Sequence, residues 1–238
     1  MGWRECRGAA AHEVYEGDKV KELILQGQAV AEHQVKALLA SYGVEVPSGL
    51  VLPPGIEEAP PLPFSYPVVL KVSAPDVLHK TEVGGVRLNI RSREELQLAV
   101  EEMRARFPGK SLLIEKQQPP GLETIVGLIN DATFGPSLMV GLGGIFTELY
   151  EDVSFRVLPI QETDAYEMFS ELRAARIFRG FRGIRADLNA LVRLLMNVSR
   201  LGIDLGQQIE QMDLNPVIVY ADKAVVVDAK LRIRQANG

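Results

Sequence analysis

MDLNPVIVYADKAVVVDAKL (Met212–Leu231) contains two runs of aliphatic and β-branched residues separated by Tyr-Ala-Asp-Lys. A tight turn centred on Ala221-Asp222 brings Tyr220 against Lys223 and makes the segment a β-hairpin. Counting back along the two arms sets Asn215 directly opposite Asp228. Opposed residues hold their Cβ atoms about 5 Å apart, and Asp213, two residues earlier, belongs on the same face. Two carboxylates and an amide oxygen on one patch suit Mg²⁺, with water and phosphate oxygens completing the shell. Two other readings stay open: polar residues on the wet face of an ordinary hairpin, and a one-residue bulge that breaks the pairing.

Upstream of the hairpin, strands and helices alternate. A helix is expected from Ala29 to Tyr42, with Val30, Leu38 and Leu39 as its apolar stripe and Gly43 as its stop. The proline-rich stretch after it, VEVPSGLVLPPGIEEAPPLPFSYP, should stay non-helical. PVVLKV (Pro67–Val72) and VRLNI (Val86–Ile90) read as strands flanking the polar loop SAPDVLHKTEVGG. Ser92 and Glu95 form a capping box opening a helix to Phe107. Strands follow at SLLIEK (Ser111–Lys116), ETIVGLI (Glu123–Ile129) and SLMVGLGG (Ser137–Gly144). Further helices are expected over Asp164–Arg176 and Asp187–Leu201, the second with Leu188, Leu191, Leu194, Leu195 and Val198 at helical spacing. This order gives an α+β or α/β fold. A boundary near the Glu115–Gly121 turn predicts a division into residues 28–114 and 115–238, with a cleft between them and residues 1–27 as a tail or partner-contacting arm.

Lys71 lies inside an apolar run, and a buried ammonium needs an anion. A phosphate ligand and a structural ion pair both satisfy that need. His79 sits in the loop beside Lys80 and before Gly84 and Gly85. The glycines would let backbone N–H groups approach an anion, and imidazole is a competent phosphoryl acceptor; an ordinary loop histidine is the alternative. His12 and His33 are too distant to build a histidine-based zinc site with it. GLGGIFTEL (Gly141–Leu149) matches neither the dinucleotide-binding nor the P-loop pattern and reads as a tight turn, with Glu148 and Asp152 left without a role. Arg173, Arg176, Arg179, Arg182 and Arg185 recur every third residue, as a solvated face or as a surface for an acidic partner or a phosphate tail.

Composition narrows the class. A formal net charge of -5 argues against a nucleic-acid binder. One cysteine, Cys6, allows no internal disulfide and points to a reducing compartment. The first residues lack the apolar core of a signal peptide, and no apolar run has membrane-spanning length. The expectation is a soluble cytoplasmic protein without membrane or nucleic-acid partners.

Together, KVSAPDVLHKTEVGGV, FGPSLMVGLGGIFTELYEDVSFRVLP and MDLNPVIV…VVVDAK resemble the β subunit of ADP-forming acetyl-CoA (acyl-CoA) synthetases, relatives of succinyl-CoA synthetase, over about residues 28–233. The resemblance implies an ATP-grasp fold whose two subdomains grip ATP or ADP in the cleft between them. It implies that Lys71 binds nucleotide phosphates, that Glu115 and Lys116 lie on a hinge strand reading adenine through backbone groups, and that Glu123 sits near the ribose. Asn215 and Asp228 would hold Mg²⁺. His79 would be a second phosphoryl carrier, oriented or stabilised by Asp213. CoA and the acid would bind a separate α subunit in an α2β2 heterotetramer, for the reaction acyl-CoA + ADP + phosphate ⇌ acid + CoA + ATP. Two departures stand out: prolines in EEAPPLPFSYP where the family has a helix, and Gln211 where it has an acidic residue. Other readings of the same fold are a carboxylate–amine ligase, a non-catalytic nucleotide-binding module and an acyltransferase-associated fragment.

Overall fold

The computed structural model describes residues 16–77, 80–143, 152–180 and 185–234. These residues divide into two compact units. One comprises Ala31–His33 and Pro47–Pro119; the other comprises Glu16–Val30, Gln34–Val46 and the chain from Pro120 onward.

The first unit is built on a four-stranded antiparallel sheet in the order β1-β4-β2-β3. Its strands are β1 (Gly49–Leu52), β2 (Val68–Ser73), β3 (Val86–Ile90) and β4 (Ser111–Lys116). Helix α3 (Arg93–Arg106) packs Leu96, Val100 and Met103 on Val68, Leu70, Val72, Leu112 and Ile114. Each such fully buried side chain contributes roughly 1.5–3 kcal/mol of transfer free energy. Ser92 caps α3 by accepting the Glu95 N–H at 3.2 Å, while Glu95 reaches back to the Arg91 N–H at 2.7 Å. Glu57 to Pro67 carries no helix, as its prolines predict. All six residues of β2 are buried, so the face that alternates away from α3 carries Val69, Lys71 and Ser73 into a second, partly polar interior.

The second unit contains a six-stranded antiparallel sheet. Strands β5 (Leu122–Asp131), β6 (Gly135–Leu142), β7 (Val153–Val157), β8 (Ile209–Val219) and β10 (Ala229–Ile233) run in the order β10-β8-β5-β6-β7, and β9 (Ala224–Val226) also pairs with β8. The long helix α5 (Leu188–Leu205) buries Leu191, Leu195, Val198 and Leu205 and extends one turn beyond its expected end. The helix expected over Asp164–Arg176 is shorter: α4 spans Glu162–Glu171, and a 3₁₀ turn, Ala175–Arg179, follows. Strand β7, unexpected from sequence, sets the exposed Phe155 and Val157 in register with Met139 and Ser137.

The reading of residues 1–27 as an arm is corrected within the described part. Gly17–Leu25 is a helix, α1, with Val20 and Ile24 fully buried. Two apolar residues one turn apart are too few to register as a periodic pattern. The helix is instead held by packing: a Cβ at Gly17 would fall 2.4 Å from Ser41 Cβ on α2 (Glu32–Ser41). No helix among the described residues is long and apolar enough to cross a membrane.

Candidate functional site

The inner face of β2 in the first unit carries a buried charge cluster. Lys71 Nζ lies 2.8 Å from Glu32 Oε1 and 2.9 Å from Glu115 Oε2, with all three side chains no more than 6% exposed. The other Glu32 oxygen accepts from Lys80, so a single carboxylate bridges two ammonium groups. Beside it, His33 donates its backbone N–H to Ser73 Oγ at 3.2 Å, and its Nδ1 lies 2.8 Å from the same oxygen. The first residues of α2 thus dock onto alternate positions of β2.

Sequence reasoning found Lys71 but missed Glu32 and Lys80 as its neighbours. It also assigned Glu115 differently. Glu115 pairs with Gly49 on one edge and Val69 on the other, so its backbone lies inside the sheet and its side chain is the part that acts, on Lys71. Lys116 donates its N–H to the Ser48 carbonyl at 2.9 Å. Its own carbonyl accepts from the Gln118 amide at 3.2 Å.

The two loop glycines also differ from expectation. The Gly84 N–H donates to the Thr81 carbonyl at 3.2 Å and the Gly85 N–H to the Lys80 carbonyl at 2.6 Å. These donors close a turn rather than face an anion. Gly84 has φ 69°, the left-handed region that favours glycine. At Gly85 a Cβ would meet Val72 Cγ1 at 2.6 Å and the Lys80 carbonyl oxygen at 3.1 Å. What the glycines provide is a compact turn that carries Lys80 back over β2. His79 lies outside the described residues, as do Glu148 and Arg182.

The hairpin of the second unit has the expected register. Val219 pairs with Ala224 and Val217 with Val226. Beyond the gap, Leu214 pairs with Ala229 and Asp213 with Lys230. Asn215 therefore stands across from Asp228, and its N–H donates to the Asp228 carbonyl at 3.2 Å. A bulge does occur, but in the other ladder: Thr124 pairs with Val217 and Val126 with Leu214, so β8 holds one more residue than β5 at Asn215-Pro216. Proline has no N–H to give a ladder, and a bulge is where a sheet tolerates it. Lys36, fully buried on α2, donates to the Val227 carbonyl at 2.7 Å and so fixes the strand just before Asp228.

Asp213 feels its surroundings. Burial pushes the Asp213 carboxyl above the ordinary aspartate value; the nearby Lys230 opposes the shift and the charge on Asp228 adds to it. A cation placed between such carboxylates would relieve both effects. Among the described residues no cluster of three His, Cys, Asp or Glu side chains could hold a metal. Two carboxylates and an amide instead fit Mg²⁺, which keeps waters and binds substrate phosphates.

The remaining candidates are separate from these two clusters. Glu123 is exposed at the start of β5, where its carbonyl accepts the Gly143 N–H at 2.8 Å. Asp152 is structural: its carboxylate accepts the N–H groups of Arg173 and Ala174 at 2.8 and 3.2 Å. Arg173, Arg176 and Arg185 are exposed, as a solvated face requires.

Comparisons with known proteins agree over nearly the whole chain. A family model described as an ATP-grasp domain matches residues 24–233. The β subunit of ADP-forming acetate–CoA ligase II from Pyrococcus furiosus is 41% identical over 230 residues, covering 90% of this chain and 96% of the relative. ADP-forming acetate–CoA ligase I from Archaeoglobus fulgidus is 40% identical, and there the chain spans only 32% of the longer relative. Among solved structures, the dinucleotide-forming acetyl-coenzyme A synthetase 1 of Candidatus Korarchaeum cryptofilum, in complex with coenzyme A and Mg-AMPPCP, superposes with a TM-score of 0.76. It is 38% identical over 91% of this chain and 99% of that one, and its phosphohistidine segment points towards the nucleotide-binding site.

Proposed function

The chain belongs to the ATP-grasp β subunits of ADP-forming acetate–CoA ligases, and from that premise we propose that its two charged clusters serve the phosphoryl-transfer half of acyl-CoA + ADP + phosphate ⇌ acid + CoA + ATP. It is a ligase subunit, one part of a two-subunit enzyme whose counterpart is fused to it in longer relatives. The observation that carries the reading is the end-to-end match to a stand-alone β subunit.

In this reading Lys71 holds nucleotide phosphates, and Glu115 keeps its ammonium aligned. Asn215 and Asp228 hold Mg²⁺, which when bound neutralises phosphate charge. Asp213, two residues before Asn215, orients or stabilises the imidazole that exchanges the phosphoryl group. His79 is that imidazole: in the ATP-consuming direction a P–N bond forms at its ring as the bond between the γ-phosphorus and the bridging oxygen breaks, and ADP leaves with the bonding pair. Such a transfer asks for charge neutralisation and alignment more than for acid–base chemistry. Glu123 and the Lys116 backbone address the nucleoside. CoA and the acid bind the α subunit, in an α2β2 assembly.

The test is incubation with γ-labelled ATP and Mg²⁺, with and without the α subunit, followed by mapping of the label. Acid-labile, base-stable label on His79 is the expected result. Label confined to the α subunit would remove His79 from the relay, and nucleotide binding without any label would favour a non-catalytic binding module.

A further inference from the structure

Glu32 divides its carboxylate between two ammonium groups. One oxygen is 2.8 Å from Lys71 Nζ and the other accepts from Lys80, so the two ammonium groups share one anion. Lys71 has a second carboxylate in Glu115, 2.9 Å away and anchored on the central strand β4. Glu32 comes from the first residue of a helix instead. Two oxygens of a phosphoryl group are spaced much like those of a carboxylate, so the Glu32 oxygens stand in for such a group. The seat is pre-built: Lys80 is locked by its carbonyl to the Gly85 N–H at 2.6 Å, and the Gly85 carbonyl accepts the Val72 N–H at 2.8 Å, one residue beyond Lys71.

We propose that Lys71 and Lys80 form a two-cation seat for one phosphoryl group of a nucleoside phosphate, and that Glu32 is its internal occupant, displaced when the phosphate arrives. The proposal rests on the phosphate-binding reading of Lys71 and adds Lys80 and Glu32 to it. With the carboxylate in place the buried cluster is neutralised without ligand. A phosphoryl group replaces it at the same two donors and carries more charge. The empty protein is thereby kept from presenting buried, unneutralised lysines, and the ligand's net affinity is lowered by the competition.

Equilibrium binding of MgADP to the full chain tests this through Glu32→Gln, which keeps the shape and removes the competing charge. The variant should bind about tenfold more tightly than the wild type, and its melting temperature without ligand should fall. Lys80→Met should bind about tenfold more weakly. Wild-type or weaker binding by Glu32→Gln would make Glu32 a brace for Lys71 and overturn the proposal. If that variant does not fold, Glu32→Asp keeps the charge but is too short to span both ammonium groups. It too must bind more tightly, and unchanged or weaker binding overturns the idea equally. Inorganic phosphate in the same titration identifies the ligand: tightening for MgADP alone assigns the seat to the nucleotide, and tightening for both assigns it to phosphoryl groups generally. A wild-type chain that binds no MgADP would sink the phosphate reading of Lys71 itself.

Discussion

The lysine cluster of the first unit is charge-balanced within the protein, with Lys71 and Lys80 facing Glu32 and Glu115 in an interior that admits little water. The hairpin of the second unit has the opposite arrangement. Burial pushes the Asp213 carboxyl above its ordinary value, Lys230 opposes the shift and the charge on Asp228 adds to it, while Asn215 is exposed. One site holds its ligand's charge in advance and must give up an internal partner to bind. The other gathers two carboxylates and an amide, a donor set that suits a cation. Mutations should therefore weigh differently on stability and on binding at the two sites.

The largest effect is expected at Lys71. Lys71→Met removes the cation that Glu32 and Glu115 share from a buried ion-pair cluster, a loss of about 3–5 kcal/mol. Activity with the α subunit should fall at least about a hundredfold, and chemical denaturation should show the stability loss. Adding Glu115→Gln should restore much of the stability and none of the activity. Recovery of activity in the double variant would break the comparison, because it would make Lys71 a structural ion pair only.

Asp228→Ala should act mainly on binding. Its half-buried carboxylate accepts the N–H of the buried Ala229 at 3.0 Å. The Mg²⁺ concentration for half-maximal activity should rise about tenfold or more, while the loss of a hydrogen bond worth about 1 kcal/mol lowers the melting temperature of the metal-free protein by about 2–4 °C. Unchanged Mg²⁺ dependence would remove the hairpin from the metal site.

The two regions also differed in how far the sequence revealed them. The hairpin was legible because its logic is local: a two-residue turn and an alternating pattern fix Asn215 against Asp228 within 14 positions. The bulge at Asn215-Pro216 was foreseen as a threat to that pairing, yet it lies in the ladder with β5, which a hairpin count does not include. In the first unit the need for an anion at Lys71 was legible, but its identity was not. Glu32 is 39 residues away in sequence, on a helix that reads as simply amphipathic. Its only signal was a carboxylate and Lys36, at i and i+4, on a face otherwise apolar. The glycines at 84 and 85 read as freeing N–H groups for an anion, but whether those groups face a ligand or a carbonyl of the same turn depends on carbonyl positions that composition does not encode. Helix α1 was missed because two buried side chains, Val20 and Ile24, are all it contributes to the core.

The smallest effect concerns that helix, whose polar attachment combines features of both clusters on an exposed surface. Tyr42 Oη donates to Asp204 Oδ2 at 2.7 Å and Lys21 Nζ donates to the same oxygen at 3.1 Å. These hydrogen bonds, Tyr42 first, hold the Asp204 carboxyl below its ordinary value, and Asp204 in turn raises Lys21. Because the aspartate is depressed, its contribution is complete above the unfolded value near pH ~4 and fades as pH falls through the folded one. Because the lysine is raised, its share is complete below its unfolded value near pH ~10 and is lost only as pH climbs through the folded one. Attachment should then be flat across neutral pH and weaken in acid. Asp204→Asn should lower amide-exchange protection of Gly17–Leu25 about two- to fivefold at pH 7, the scale of an exposed ion pair, and abolish the acid dependence. Protection unchanged by the substitution would mean that Val20 and Ile24 alone hold α1 in place.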